Sequence, residues 1–393
     1  MSNRWATFAF SELYSLPSRN GLSIPKSLRG SGTPMMGMSE LFRHDIIRST
    51  ESWEEVPTTS SQDERFELRQ GDLLFGRRSL TREGAGKVSL FSALAQNAVF
   101  ESSLIRVRLD RQLTCPEFYF HYFRSPQGRG NMEQIVEQVA VSGIRSSDLG
   151  QLRVPVPPLS EQKRIASVLS GFDDLVETNR RLSSDLRSLL FAKYEVLARD
   201  RDTSPFGEVA RLVRDQWKPG HEHPGNYLGL EHFATDGAGL IGSGDADGVN
   251  GTSLRFQPGD VLYGKLRPYF RKVARPGFAG ICSPEIWVLR AQAGYPQSLV
   301  HALAHMASFS EAATAGSTGT RMPRADWKHI STVQVPALRT SDLDPDVLDG
   351  LETLWAVACD LDQESTELSR QRDELLPLLM SGKVRARDLE AVA

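Results

Sequence analysis

Gly71-Asp72-Leu73-Leu74-Phe75-Gly76-Arg77 recurs later in the chain as Gly259-Asp260-Val261-Leu262-Tyr263-Gly264-Lys265. Working outward from this pair, more matches keep the same order. Met36-Gly37-Met38 answers Leu228-Gly229-Leu230, each soon followed by a phenylalanine (Phe42, Phe233). Ser142-Gly143-Ile144-Arg145 answers Thr318-Gly319-Thr320-Arg321, and Val154-Pro155-Val156-Pro157 answers Val333-Gln334-Val335-Pro336. A conserved order of matches is the mark of an internal duplication. Each half therefore reads as a globular domain followed by a long helix. The expected segments are a first domain (1–153), a first long helix (154–205), a second domain (206–339) and a second long helix with a tail (340–393).

The globular parts read as mixed α/β. Runs such as Ser103–Leu109 and Ile286–Arg290 predict strands between Gly, Pro and Asp turns, and Pro116–Phe123 and Ser298–Ala307 predict helices. After Pro157-Pro158, an apolar seam runs through Ile165, Val168, Phe172, Leu175, Asn179, Leu182, Leu186 and Leu189. Its period predicts a coiled-coil helix over Ser160–Arg199, roughly 60 Å long at 1.5 Å per residue. A second seam runs through Leu351, Leu354, Ala358, Leu361, Ser365, Leu368, Leu375 and Leu379. A narrow apolar stripe must bury itself against another helix. The two seams therefore predict an antiparallel pair, with the polar Asn179 and Ser365 facing each other to fix the register; the alternative places both at solvated edges. Two similar domains on such a pair make a pseudo-two-fold object, suited to a ligand with two similar sites at fixed separation. The grooves of B-DNA recur in this way.

Net charge is −3, with 46 Lys+Arg against 49 Asp+Glu, but it is unevenly spread. Residues 1–153 carry 19 basic against 17 acidic side chains, 154–205 carry 8 and 8, 206–339 carry 14 and 11, and 340–393 carry 5 and 13. The globular parts are thus mildly basic, which permits nucleic-acid binding. Three scattered cysteines, Cys115, Cys282 and Cys359, exclude a Cys-rich zinc site and argue for a reducing, cytoplasmic compartment. No secretory signal or membrane-spanning apolar run is read.

A basic stretch follows each repeated strand: Arg77, Arg78, Arg82 and Lys87 in the first half, Lys265, Arg267, Arg271 and Lys272 in the second. Arginine suits bidentate reading of guanine, and both residue types hold phosphates. Arg145 and Arg321 lie in small, flexible loops of the kind that approach a backbone; the alternative makes these stretches plain turns before the last strand. Tyr263, Tyr269 and Phe270 could pack on bases or sugars, or could belong to the core. Catalytic signals fall away on inspection. Gly237-Ala238-Gly239-Leu240-Ile241-Gly242 spells a dinucleotide-binding pattern without a preceding strand. Asp245-Ala246-Asp247-Gly248 lacks the remaining calcium ligands, and His221 with His223 lacks a third metal ligand. There is no GxxxxGK[ST] loop and no Asn-Pro-Pro-aromatic tetrad.

Three stretches carry a family resemblance. Pro157-Pro158-Leu159-Ser160-Glu161-Gln162-Lys163-Arg164-Ile165-Ala166 resembles the first central helix of type I restriction-modification specificity subunits. Arg372-Asp373-Glu374-Leu375-Leu376-Pro377-Leu378-Leu379-Met380-Ser381-Gly382-Lys383-Val384 is similar to that family's C-terminal helix ending. Phe256 through Pro268 resembles the core of its target recognition domains. The resemblance implies a non-catalytic chain whose two target recognition domains each read half of a bipartite DNA site. It implies helices that set the spacer and dock two copies of an adenine-N6 methyltransferase, joined by a translocating nuclease. It implies no cofactor in this chain, S-adenosylmethionine being held by the partner. The second half departs from the pattern, with Val335-Pro336-Ala337-Leu338-Arg339-Thr340 where the first has Pro-Pro…Glu-Gln. Two alternatives stand beside this reading: a helical protein-interaction scaffold, and an orphan specificity chain that borrows another system's methyltransferase.

Overall fold

The computed structural model describes residues 5–82, 84–93, 97–137, 142–220, 224–319, 321–386 and 388. His221 and His223 lie outside them. The fold is mixed α/β. By its contacts the chain divides into two compact units, Met1–Leu175 together with Leu368–Ala393, and Val176–Glu367. Each long helix thus contributes to both units, where the sequence reading gave the helices segments of their own.

In the first unit the main sheet is built from β1 (Tyr14–Asn20), β2 (Leu73–Gly76), β3 (Val88–Phe91) and β4 (Leu104–Leu109), in the order β1-β4-β2-β3, with the short strand Ile46–Ile47 at the edge. β2 lies in the middle and every one of its residues is buried, which is why it reads as a continuous apolar run rather than an alternating one. Helix α1 (Pro116–Arg124) brings Phe118, Tyr119, Phe120, Tyr122 and Phe123 into the same core as Phe10, Phe75 and Val107. The opening strand Ala6–Ala9 pairs with Arg153–Val156, so the domain closes where it began. Helix α2 then runs 39 residues, Leu159–Leu197, and its first turns put Ile165, Ala166 and Leu169 into this core.

The second unit repeats the plan. β5 (Ala210–Val213), β6 (Val261–Gly264) and β7 (Ile286–Ala291) take the order β5-β7-β6, with Val273–Ala274 beyond. Helix α3 (Gln297–His305) packs on the sheet, and Thr203–Pro205 closes against Gln334–Pro336. Helix α4 (Pro345–Met380) is the second long helix. Register shows the duplication residue by residue: Gly76 sits opposite Leu104, and Gly264 opposite Ile286.

The long helices are antiparallel in both units. In the first, Arg372 Nη1 reaches Asp173 Oδ1 at 2.5 Å; in the second, Asn179 Nδ2 donates to Glu364 Oε2 at 3.0 Å and Ser183 Oγ to Asp362 Oδ1 at 2.7 Å. The buried face of α2 carries Ile165, Leu169, Asp173, Val176, Asn179, Ser183, Leu190 and Tyr194. The expected seam is therefore corrected: Leu175, Leu182 and Leu189 are exposed. The reason is that Asp173, Asn179 and Ser183 meet complementary groups on α4, so polar side chains hold the inward face and the apolar row turns outward. Asn179 and Ser365 are both buried rather than solvated. Asn179, however, bonds the neighbour of Ser365, while Ser365 Oγ donates to the Leu361 carbonyl of its own helix at 2.8 Å.

Candidate nucleic-acid interface

The repeated Gly-Asp motif builds the strand from which the candidate contacts emerge. Gly71 and Gly259 hold φ of +92° and +85°, a left-handed turn that a side chain would strain. Asp72 Oδ2 then accepts from the Arg69 N–H at 2.8 Å, and Asp260 Oδ2 from the Gln257 N–H at 2.8 Å. Each carboxylate also takes a two-pronged grip from an arginine on the neighbouring strand. Arg108 Nε and Nη2 reach Asp72 at 2.7 Å each, and Arg290 Nε and Nη2 reach Asp260 at 2.7 Å each. The motif's acid is thus consumed in holding β2 to β4 and β6 to β7, and is not available to a ligand. Its signal in the sequence is the arginine that each half carries near the end of the later strand.

The cations beyond the motif divide into two groups. Several are tied into the fold. Arg77 Nη1 donates to the Ser102 carbonyl at 3.2 Å. Lys87 donates to the Phe42 carbonyl at 3.2 Å and pairs with Asp45 at 3.3 Å. Arg145 pairs with Glu137 at 2.7 Å. Arg271 Nη2 donates to the His305 carbonyl at 2.8 Å, and Lys272 Nζ to that of Leu230 at 2.6 Å. Lys265 lies half-buried on the wall of a cleft of about 320 Å³, with Trp287, Trp327, Arg214 and Asp326. By contrast Arg78, Arg82, Arg267 and Arg321 are exposed, and their side chains have no hydrogen-bond or ion-pair partner among the described residues. Position in the sequence did not separate the two groups, because partners such as Asp45, His305 and Leu230 lie far along the chain.

Local backbone explains how the free arginines are presented. Arg78 sits on the short strand Arg78–Ser79, paired with Ser142–Gly143, the loop already singled out by the repeat. Arg267 has φ +51° and its N–H donates to the Pro323 carbonyl at 2.7 Å, which ties it to the loop carrying Arg321. Each unit thus gathers free arginines where the loop after its motif strand meets the later loop. Tyr263 belongs to the core, its hydroxyl 3.0 Å from Ser310 Oγ, whereas Tyr269 and Phe270 are exposed. Leu80, which sequence reading passed over, stands 91% exposed between Arg78 and Arg82.

Residues 3–187 match the family model of the type I restriction modification DNA specificity domain. Over those residues the chain is similar to that family. Among curated relatives, the EcoKI type I specificity subunit of Escherichia coli K12 is 32% identical over 164 residues, 40% of this chain and 35% of that protein. The putative MjaX specificity subunit of Methanocaldococcus jannaschii is 30% identical over 162 residues, 41% of this chain and 37% of that protein. The matched stretch thus spans about a third of the length of these relatives. The crystal structure of the specificity subunit from M. genitalium aligns over 96% of this chain and 97% of its own, with a TM-score of 0.58 and 16% identity. That likeness is one of fold, and it extends over the half that the family model leaves unmatched.

The family-like stretch at the start of α2 has a structural use in this chain. Gln162 is fully buried; its Oε1 accepts from the Cys115 N–H at 2.9 Å, and its Nε2 donates to the carbonyls of Pro157 (2.9 Å) and Leu113 (3.2 Å). It fastens the helix start to the loop before α1. The second half solves the same problem without a glutamine. The Thr340 N–H donates to the Gly294 carbonyl at 2.9 Å, and the Arg339 guanidinium lies 5.0 Å over the Tyr295 ring. Each unit also buries a histidine against α2. His121 is held neutral, well below the usual imidazole range, by burial and by Arg124 and Arg372; His301 by burial and by Arg275, Arg187 and His305. Asp173 lies 3.8 Å from His121, but it is engaged by Arg372 at 2.5 Å.

Proposed function

We propose that this chain reads DNA sequence for a type I restriction-modification complex and performs no chemistry itself. Each globular unit reads one half of a bipartite duplex site, and the long helices set the spacing and dock methyltransferase subunits. S-adenosylmethionine belongs to the partner in this reading, as does the ATP-driven translocation of the nuclease subunit. The observation that carries the proposal is the duplicated one: free arginines at corresponding places in both units, on loops fixed by the same strand and the same Asp–Arg grip. Guanidinium groups that the fold leaves unpaired suit phosphates and guanine edges. The docking part rests on the outward row of α2, where Leu182, Leu189 and Val196 recur at the seven-residue interval of a helix-on-helix contact.

Long-read mapping of adenine methylation in cells with and without the gene tests the proposal. A bipartite motif that disappears with the gene supports it and supplies both half-sites. Unchanged methylation, together with no salt-sensitive retention of the purified chain on duplex DNA, refutes it in favour of a protein scaffold, which the apolar row alone also fits.

A further inference from the structure

The loop that follows the motif strand carries, in both units, an exposed apolar tip that the fold does not use. In the second unit it is Tyr269 and Phe270, 49% and 37% exposed, their ring centroids 4.7 Å apart at 55°. They sit on a single 3-10 turn, Pro268–Phe270, bracketed by Arg267 and Arg271 at φ +51° and +50°. Left-handed backbone at two arginines is unfavourable and persists only when neighbours impose it. Here they do: the Asp236 N–H donates to the Phe270 carbonyl at 3.0 Å, the Gly237 N–H to the Arg271 carbonyl at 2.8 Å, and Arg271 itself to His305. The result is a braced turn that holds two aromatic rings in solvent beside the free guanidinium of Arg267.

In the first unit the corresponding loop presents Leu80. It follows the strand Arg78–Ser79, and its turn is held by Ser79 Oγ accepting from the Thr81 N–H at 3.1 Å and Thr81 Oγ1 from the Gly84 N–H at 3.3 Å. Exposed arginines stand on either side of it, at 78 and 82. An apolar tip beside a free arginine, at the same place in both domains, suits stacked bases next to a row of phosphates. Asp236 is exposed on the loop that braces the second tip, where a carboxylate would repel a phosphate and accept from a base amino group.

We propose that Leu80 and the Tyr269–Phe270 pair are wedges that press between base pairs of the duplex, one in each half-site, and that unstacking there is part of how the site is read. This rests on the DNA-reading function proposed above. Side chains of these types open base steps in other architectural contacts, and the deformation favours flexible steps. One aliphatic side chain and two aromatic rings make different demands, so the two half-sites are read with different mechanical preferences as well as different edges.

The test uses the full chain, with its methyltransferase partner, on a duplex carrying the mapped motif, with 2-aminopurine placed at successive positions. Bound wild-type protein is expected to raise the fluorescence at one step in each half-site. Leu80→Ala should abolish the signal in one half-site only, and Tyr269→Ala/Phe270→Ala in the other only, each with about ten-fold weaker binding and an unchanged unfolding midpoint. If the wild type binds the motif but no position brightens and the variants bind equally well, the wedges are refuted while the reading of DNA stands. If the variants instead lose the methyltransferase, the tips are protein contacts and the proposal is overturned. Failure of the wild type to bind the duplex at all would bring down the functional reading, and the wedges with it.

Discussion

Replacing Asp260 by asparagine removes one charge from a buried pair and leaves the shape almost unchanged. The carboxylate is 3% exposed and accepts two N–H groups from Arg290 at 2.7 Å and one from Gln257 at 2.8 Å. An amide can accept on one atom only, and its NH2 would face the donors of Arg290 or the Gln257 N–H. Breaking a buried pair from one side costs about 3–5 kcal/mol. Arg290 keeps 30% of its side chain in water, so the lower end, about 3 kcal/mol, is expected. For a unit of this size that corresponds to a fall of roughly 6–12 °C in its unfolding midpoint. Hydrogen exchange on the full chain localises the effect: amides of β6 and β7 should lose protection while β2 and β4 keep theirs, and Asp72→Asn should show the reverse. The double substitution Asp260→Asn/Arg290→Gln should recover part of the loss, because the charge left behind is removed too. Strict additivity of the two single variants, or a loss below about 1 kcal/mol, would refute the assignment of the motif's acid to holding the strands.

Other outcomes follow from the same structure. Gln162→Leu orphans a buried N–H and a buried carbonyl, with a second carbonyl partly buried, and should destabilise the first unit by about 2 kcal/mol in denaturant titration. Acid should weaken both units: the unfolded chain takes up protons on His121 and His301 near pH 6.5 while the folded chain, whose imidazoles are depressed, does not. Stability present above that pH is therefore lost as pH falls below it, at up to about 1.4 kcal/mol per pH unit for each histidine, and His121→Gln should flatten the dependence in the first unit only. Arg78→Ala and Arg267→Ala should leave stability unchanged yet weaken DNA binding, each lowering the salt slope by about 0.9; unaltered binding in both would remove these arginines from the interface. Leu182→Asp/Leu189→Asp should abolish co-elution with a methyltransferase subunit at unchanged helicity, and retained co-elution would place docking elsewhere.

The duplication and the two long helices were legible in the sequence because they are written in local signals: turn glycines, Pro-marked stops and apolar periods. What α2 buries was not. Leu175, Leu182 and Leu189 form a regular row, and so does the buried set through Val176, Ser183 and Leu190. The choice between rows one residue apart is made by Asp362, Glu364 and Arg372, which no local window contains. The basic stretches were likewise visible as composition, but composition does not tell a guanidinium held by a distant carbonyl, as in Arg271, from a free one, as in Arg267. Leu80 carried no signal beyond being an apolar residue between two arginines.

The first core closes only with Leu376, Leu379, Met380 and Ala386, which pack with Ile165 and Leu169 among residues from the start of the chain. The second unit, by contrast, is one uninterrupted stretch, Val176–Glu367. On the ribosome the order of completion therefore inverts the order of synthesis: the domain made first waits, with part of its apolar surface uncovered, until the domain made second is already whole. A nascent chain stalled before residue 376 should engage chaperones through its first unit, and a lesion among residues 376–386 should be felt as a defect in that unit.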